Sequence, residues 1–67
     1  MKLFEKLIAE MKRQKISQGD IAKILGITQA AVAYKLSPDG DFKSEEIIKI
    51  QETFFPEVDL KTLFTKT

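Results

Sequence analysis

The chain contains no cysteine and no histidine. Without cysteine, neither a disulfide nor a thiolate metal site can hold it together. Without histidine it lacks the commonest general base and the commonest zinc ligand. It also has no Gly-rich phosphate loop, no nucleophile–base pair and no metal-ligand spacing. Glu45 and Glu46 stand at a helix start, where the helix dipole accounts for them. The sequence therefore predicts no enzyme, no cofactor, no metal and no small-molecule substrate. No apolar run approaches the roughly 18 residues that a membrane span needs. The opening Met1-Lys2-Leu3-Phe4-Glu5-Lys6 puts charge where a signal peptide needs its apolar core. A cytoplasmic protein with no membrane partner is the expectation. There is no β-alternation, internal repeat, linker or low-complexity segment.

What is present suits one small domain over residues 1–67. With 43% hydrophobic and 31% charged residues, the chain is globular rather than disordered, and packing must supply its stability. The net charge of +1 is unremarkable, but its distribution is uneven. Residues 1–38 hold seven Lys/Arg and three Asp/Glu, a balance of +4, and residues 39–67 hold four Lys and seven Asp/Glu, a balance of −3. Such a chain can turn a positive face to an anionic partner and keep its acidic half away. Random scatter on a short chain gives the same numbers, so charge alone does not decide.

Apolar spacing predicts five helices. Leu3, Phe4, Leu7, Ile8 and Met11 line a first helix from residue 3 to about 14, with Lys2, Lys6, Lys12 and Arg13 on its polar face. Glu5 and Glu10 interrupt that face, which argues against a membrane-surface helix. Ser17 is an N-cap, and Asp20 suits the positive end of a second helix carrying Ile21, Ala22 and Leu25 inward. Gly26 ends it in the left-handed conformation. Thr28 caps a third helix over 29–36, with Val32 and Leu36 inward. Ser37-Pro38-Asp39-Gly40-Asp41 is a turn in which Pro38 fixes one torsion and Gly40 accepts a positive φ. Phe42 plugs the core. A fourth helix runs from Ser44 to about Phe54, burying Ile47, Ile50 and Phe54, and Pro56 breaks it. Asp59 caps a short fifth helix with Leu60, Leu63 and Phe64 on one side.

Helix, glycine turn and helix follow one another from about 17 to 36 with almost no spare residue. So short a turn forces close packing, which demands a small residue on the first helix, glycine in the turn and a branched anchor on the second helix. Ala22, Gly26 and Val32 meet those demands. The run Ile16-Ser17-Gln18-Gly19-Asp20-Ile21-Ala22-Lys23-Ile24-Leu25-Gly26-Ile27-Thr28-Gln29 resembles the core of the lambda-repressor-like family, which includes the phage CI and Cro regulators and the XRE-type bacterial regulators. Phe42 with Glu46-Ile47 and Ile50 is similar to that family's fourth helix, and "FFPEVDLKTLFTKT" is similar to the stretch opening its fifth. The resemblance spans nearly the whole chain. It implies an all-α, compact five-helix DNA-binding domain with the helix-turn-helix at helices 2 and 3. It implies a bacteriophage-type transcriptional repressor acting on the nucleoid of a bacterial host. Three features depart from the family. Lys35 stands where a large apolar residue is common, Lys43 stands where Thr or Ser often caps the fourth helix, and the loop after the third helix holds Asp39 and Asp41 where basic or amide groups are usual.

A recognition helix in the major groove must present small or hydrogen-bonding side chains near its N-terminal end. Gln29, Ala30, Ala31 and Tyr34 are the expected base contacts: Gln pairs bidentately with adenine, and Ala sits against a thymine methyl. Ala33 is left to packing. The resemblance implies that Gln29 contacts a base and that Gln18 touches phosphate and braces Gln29. Thr28, Lys35 and Lys43 complete the expected phosphate-side set. Two readings remain at this point: double-stranded operator DNA, or a protein partner bound on the same scaffold, as in an antitoxin or anti-repressor. One helix reads few base pairs, so a two-fold dimer is expected on DNA. Ile48, Phe55, Leu60, Leu63 and Phe64 are surplus to a three-helix core. Some of them must close the core of so short a chain, and the remainder predict weak self-association through the fourth and fifth helices, strengthened on DNA. The alternative is that all are internal and the protein is a monomer that pairs only on DNA or through a further C-terminal domain.

Overall fold

Several helix ends rest on a local cause. The computed structural model describes residues 2–67. In it, α1 is Glu5–Gln14, α2 Gln18–Leu25, α3 Gln29–Leu36, α4 Ser44–Phe54 and α5 Leu60–Leu63, with no strand among the described residues. The α1 helix closes on Lys15, which takes the left-handed conformation at φ 58° while the Ile16 N–H reaches back to Met11 O at 2.8 Å. A reciprocal box opens α2: Ser17 Oγ accepts from Asp20 N at 3.1 Å, and Asp20 Oδ2 accepts from Ser17 N at 2.9 Å. Gly26, at φ 69°, ends it, and Thr28 Oγ1 caps α3 by accepting from Ala31 N at 3.1 Å. Asp59 Oδ2 caps α5 by accepting from Thr62 N at 3.0 Å.

Three departures from the sequence expectations have physical reasons. The first helix begins at Glu5 rather than residue 3, because Leu3 exchanges two backbone bonds with Thr67, at 3.1 and 2.9 Å. Gly40 has no positive φ; a Cβ there would lie 1.9 Å from Tyr34 O, so glycine is needed for close approach rather than for torsion. Phe55 does not join Ile48 on an outward stripe. The helix stops at Phe54, and Phe55 swings inward at φ −132°, where it is 1% exposed. Leu63 is enclosed too, among the apolar residues expected to close the core.

One residue from each helix is completely covered: Leu7, Ile21, Val32, Ile50 and Leu63. Each such burial contributes roughly 1.5–3 kcal/mol. Phe64 meets Phe4 and Phe42 edge to face, and Phe4 and Phe42 are tilted to one another, with ring centroids 5.6–5.9 Å apart. This aromatic knot joins the start of the chain, the α3–α4 loop and the end of α5. The α2 helix is central: it packs against both α3 and α4, while α3 comes close to α2 and to no other helix. The outer face of α3 is therefore left clear. No helix among the described residues is long and apolar enough to cross a membrane.

Candidate functional site

The exposed side of α3 is built from residues four apart. Gln29 and Ala33 form one row, Ala30 and Tyr34 the next, and all four are exposed, Tyr34 at 61%. Val32 and Leu36 take the opposite side into the core. Ala31 is half-buried at the margin. Ala33, which the sequence left to packing, thus faces outward more fully than Ala31; its i, i+4 spacing from Gln29 is the signal that would have located it. The surface is low and nearly uncharged, with an amide at its N-terminal end and a phenol near its C-terminal end.

Its N-terminal end meets the start of α2. Gln29 Oε1 stands 3.6 Å from where a Cβ on Gly19 would lie, an ordinary contact distance that places the Gln29 side chain against the start of α2. No hydrogen bond among the described residues joins Gln29 to Gln18. Gln18 instead lies half-buried at the rim of a shallow groove of about 270 Å³ with Lys12, Ile16 and Leu36. Thr28 uses its hydroxyl oxygen as acceptor for the cap, which leaves its O–H free to donate outward. Beyond the C-terminal end, Tyr34 Oη donates to Asp39 O at 3.4 Å, and Ser37 Oγ donates to Tyr34 O at 2.6 Å. Lys66 Nζ holds this loop from below, donating to Pro38 O at 3.2 Å and Gly40 O at 2.5 Å. No sequence pattern announces that contact.

The cations divide into engaged and free. Lys35, expected at phosphate, is turned inward: its Nζ lies 3.1 Å from Glu46 Oε1. Burial raises the Glu46 pKa, but the Lys43 N–H and the Lys35 ammonium outweigh it, and the carboxyl ends below its ordinary value. Lys6 and Arg13 are drawn onto Glu10, at 3.3 and 2.6 Å. The Arg13 hydrogen bond, against some burial and helped by Gln14 and Lys6, lowers the Glu10 pKa from 4.5 to about 2. The Ser17 backbone and hydroxyl likewise hold Asp20 below its ordinary value. Lys12, Lys23 and Lys43 are exposed and carry no ion pair among the described residues. Lys43 stands beside Ile24 and Leu25, near the α2–α3 turn. Among the described residues no three carboxylates gather as a metal cage requires.

The chain matches no protein-family model, no curated protein and no solved structure.

Proposed function

We propose that the protein is a sequence-specific double-stranded DNA-binding regulator of the phage CI/Cro type, with α2, its glycine turn and α3 acting as a helix-turn-helix. The observation that carries this reading is the outer face of α3, where Gln29, Ala30, Ala33 and Tyr34 stand exposed on a helix whose only close helical neighbour is α2. Small residues let a helix backbone approach base edges, and a glutamine near its N-terminal end offers the donor–acceptor pair that adenine requires. Gln29 and Ala30 face bases in this reading, with Ala31 at the margin and Tyr34 at a base edge or phosphate. Gln18, Thr28 and Lys43 serve phosphates, with Lys12 and Lys23 as free charge around them. Lys35 supports the helix from behind.

Two copies are proposed on each operator, because one recognition helix covers too few base pairs. Phe55 and Leu63 are committed to the intramolecular core, which leaves Ile48, at 46% exposure, as the main outward apolar residue of α4. So narrow a patch favours a monomer that pairs on DNA over a dimer that forms beforehand. The exposed Asp39 and the inward Lys35 are the observations that favour the second reading, a protein partner on the same face. Selection of duplex oligonucleotides from a random pool, followed by mobility shift across salt concentrations, separates the two. A preferred sequence and a steep salt slope support DNA; no enrichment, with salt-insensitive capture of a protein, supports the other.

A further inference from the structure

The two sides of α3 are held by unequal means. Its inner face is anchored by Val32 and Leu36, and its backbone nears α2 alone among the helices. Toward α4 the bridge is a side-chain pair. Lys35 Nζ lies 3.1 Å from Glu46 Oε1, and that same oxygen accepts the Lys43 N–H at 2.8 Å. One carboxylate oxygen therefore both caps α4 and holds the last turn of α3. The two side chains are only 18% and 15% exposed, and the ammonium stands 6.0 Å above the Phe42 ring. An exposed pair holds little, but a covered one resists loss of either partner, since the survivor stays charged in a poor solvent.

An apolar side chain in place of Lys35 would fill the same space without the cost of removing a charge from water. What the pair adds is a fixed separation between two named atoms on different helices. Base readout needs that kind of constraint: a reading side chain must sit within about 0.5 Å and 10–20° of its productive position. Phosphate contacts set register and carry no sequence information directly. A helix free to roll about its α2 contact would keep its phosphates and lose its bases.

We propose that Lys35 and Glu46 are positioning residues whose ion pair fixes the attitude of α3 and so sets sequence discrimination without touching DNA. The proposal rests on the DNA-binding reading above, and its test separates the two. Glu46→Gln keeps an oxygen for the Lys43 N–H and removes the charge; Lys35→Met keeps the stem over Phe42 and removes the ammonium; Lys35→Arg restores a cation. Affinities of wild type and variants are measured on the selected duplex and on random duplex, well below the melting temperature. Glu46→Gln and Lys35→Met should each weaken specific binding roughly ten-fold, the double variant no further, and Lys35→Arg little. Random-sequence affinity and salt slope should stay put. Equal loss on both duplexes, no loss, or a general rise with a steeper slope (Lys35 released onto phosphate) would each overturn the proposal. Amide exchange of free protein gives an arm that needs no DNA. The α3 amides near Tyr34–Leu36 should exchange faster in Glu46→Gln while α2 amides hold, and unchanged α3 exchange would sink the clamp. If wild type prefers no sequence, the DNA reading falls and the exchange result alone decides whether the clamp stands.

Discussion

Gln29 and Lys15 show how differently single residues act in this chain. Gln29 stands exposed over the bare backbone of Gly19. In the DNA reading its amide makes one bidentate contact, worth roughly 1–3 kcal/mol of discrimination. Gln29→Ala should lower affinity for the selected duplex by that amount and leave random duplex almost untouched; equal loss on both would remove Gln29 from the readers. Lys15 has no such part. It is the one described non-glycine residue at positive φ, 58°, closing α1. An L-residue there costs about 1–2 kcal/mol, and glycine returns part of that gain through a looser unfolded chain. Lys15→Gly should stabilise by about 0.5–1 kcal/mol, raising Tm by roughly 2–8 °C; a lower melt would mean that the lysine side chain contributes something its torsion hides. The place of Gln29, exposed at the first position of α3, was legible because Thr28 caps that helix. Lys15 was not, since lysine carries no signature for the left-handed region. Lys35 was misplaced for another reason: charge reads as outward, and its partner Glu46 belongs to a different helix.

Glycine marks two junctions between elements, for opposite reasons. At Gly26 a Cβ would meet nothing within 4 Å, and the whole demand is the positive φ of 69°. At Gly40 the torsion is ordinary, but a Cβ would strike Tyr34 O and Lys35 Cα, both backbone. Gly26→Ala should therefore cost about 1 kcal/mol. Gly40→Ala should cost about 3 kcal/mol, the upper end for overpacking, because backbone cannot step aside as a side chain does. Paired thermal melts check the order; a Gly40→Ala melt no lower than that of Gly26→Ala would contradict the close approach. The starts of α2, α3 and α5 were legible because Ser17, Thr28 and Asp59 cap them with their own side chains. The start of α1 was not, because Leu3 is claimed by Thr67 at the far end of the chain. Phe55 was read one residue past the end of its helix, and a single residue changes which side faces the core.

At the scale of the whole molecule, folding lowers the pKa values of Glu10, Asp20 and Glu46 among the described residues. A depressed carboxylate contributes stability that is complete above its unfolded value and lost as pH falls through its folded one. For Glu10 that window runs from 4.5 down to about 2. Tm should hold from neutral pH to about 5 and then fall steadily. Glu10→Gln should start lower at neutral pH and fall less; a parallel decline would assign the acid sensitivity elsewhere. Assembly is the other property of this scale. Sedimentation should find free protein monomeric at micromolar concentration and two copies on a saturated operator; one copy per operator would end the two-fold reading. Finally, the aromatic knot makes time a constraint on this molecule. Phe4 is made well before Phe64, yet each ring packs against the other and against Phe42. On a ribosome adding roughly 5–20 residues per second, α2 and α3 emerge and wait some seconds before the core that steadies them can close. The helix that bears the proposed reading face thus passes that interval with α2 already made and the Phe4–Phe42–Phe64 knot still open.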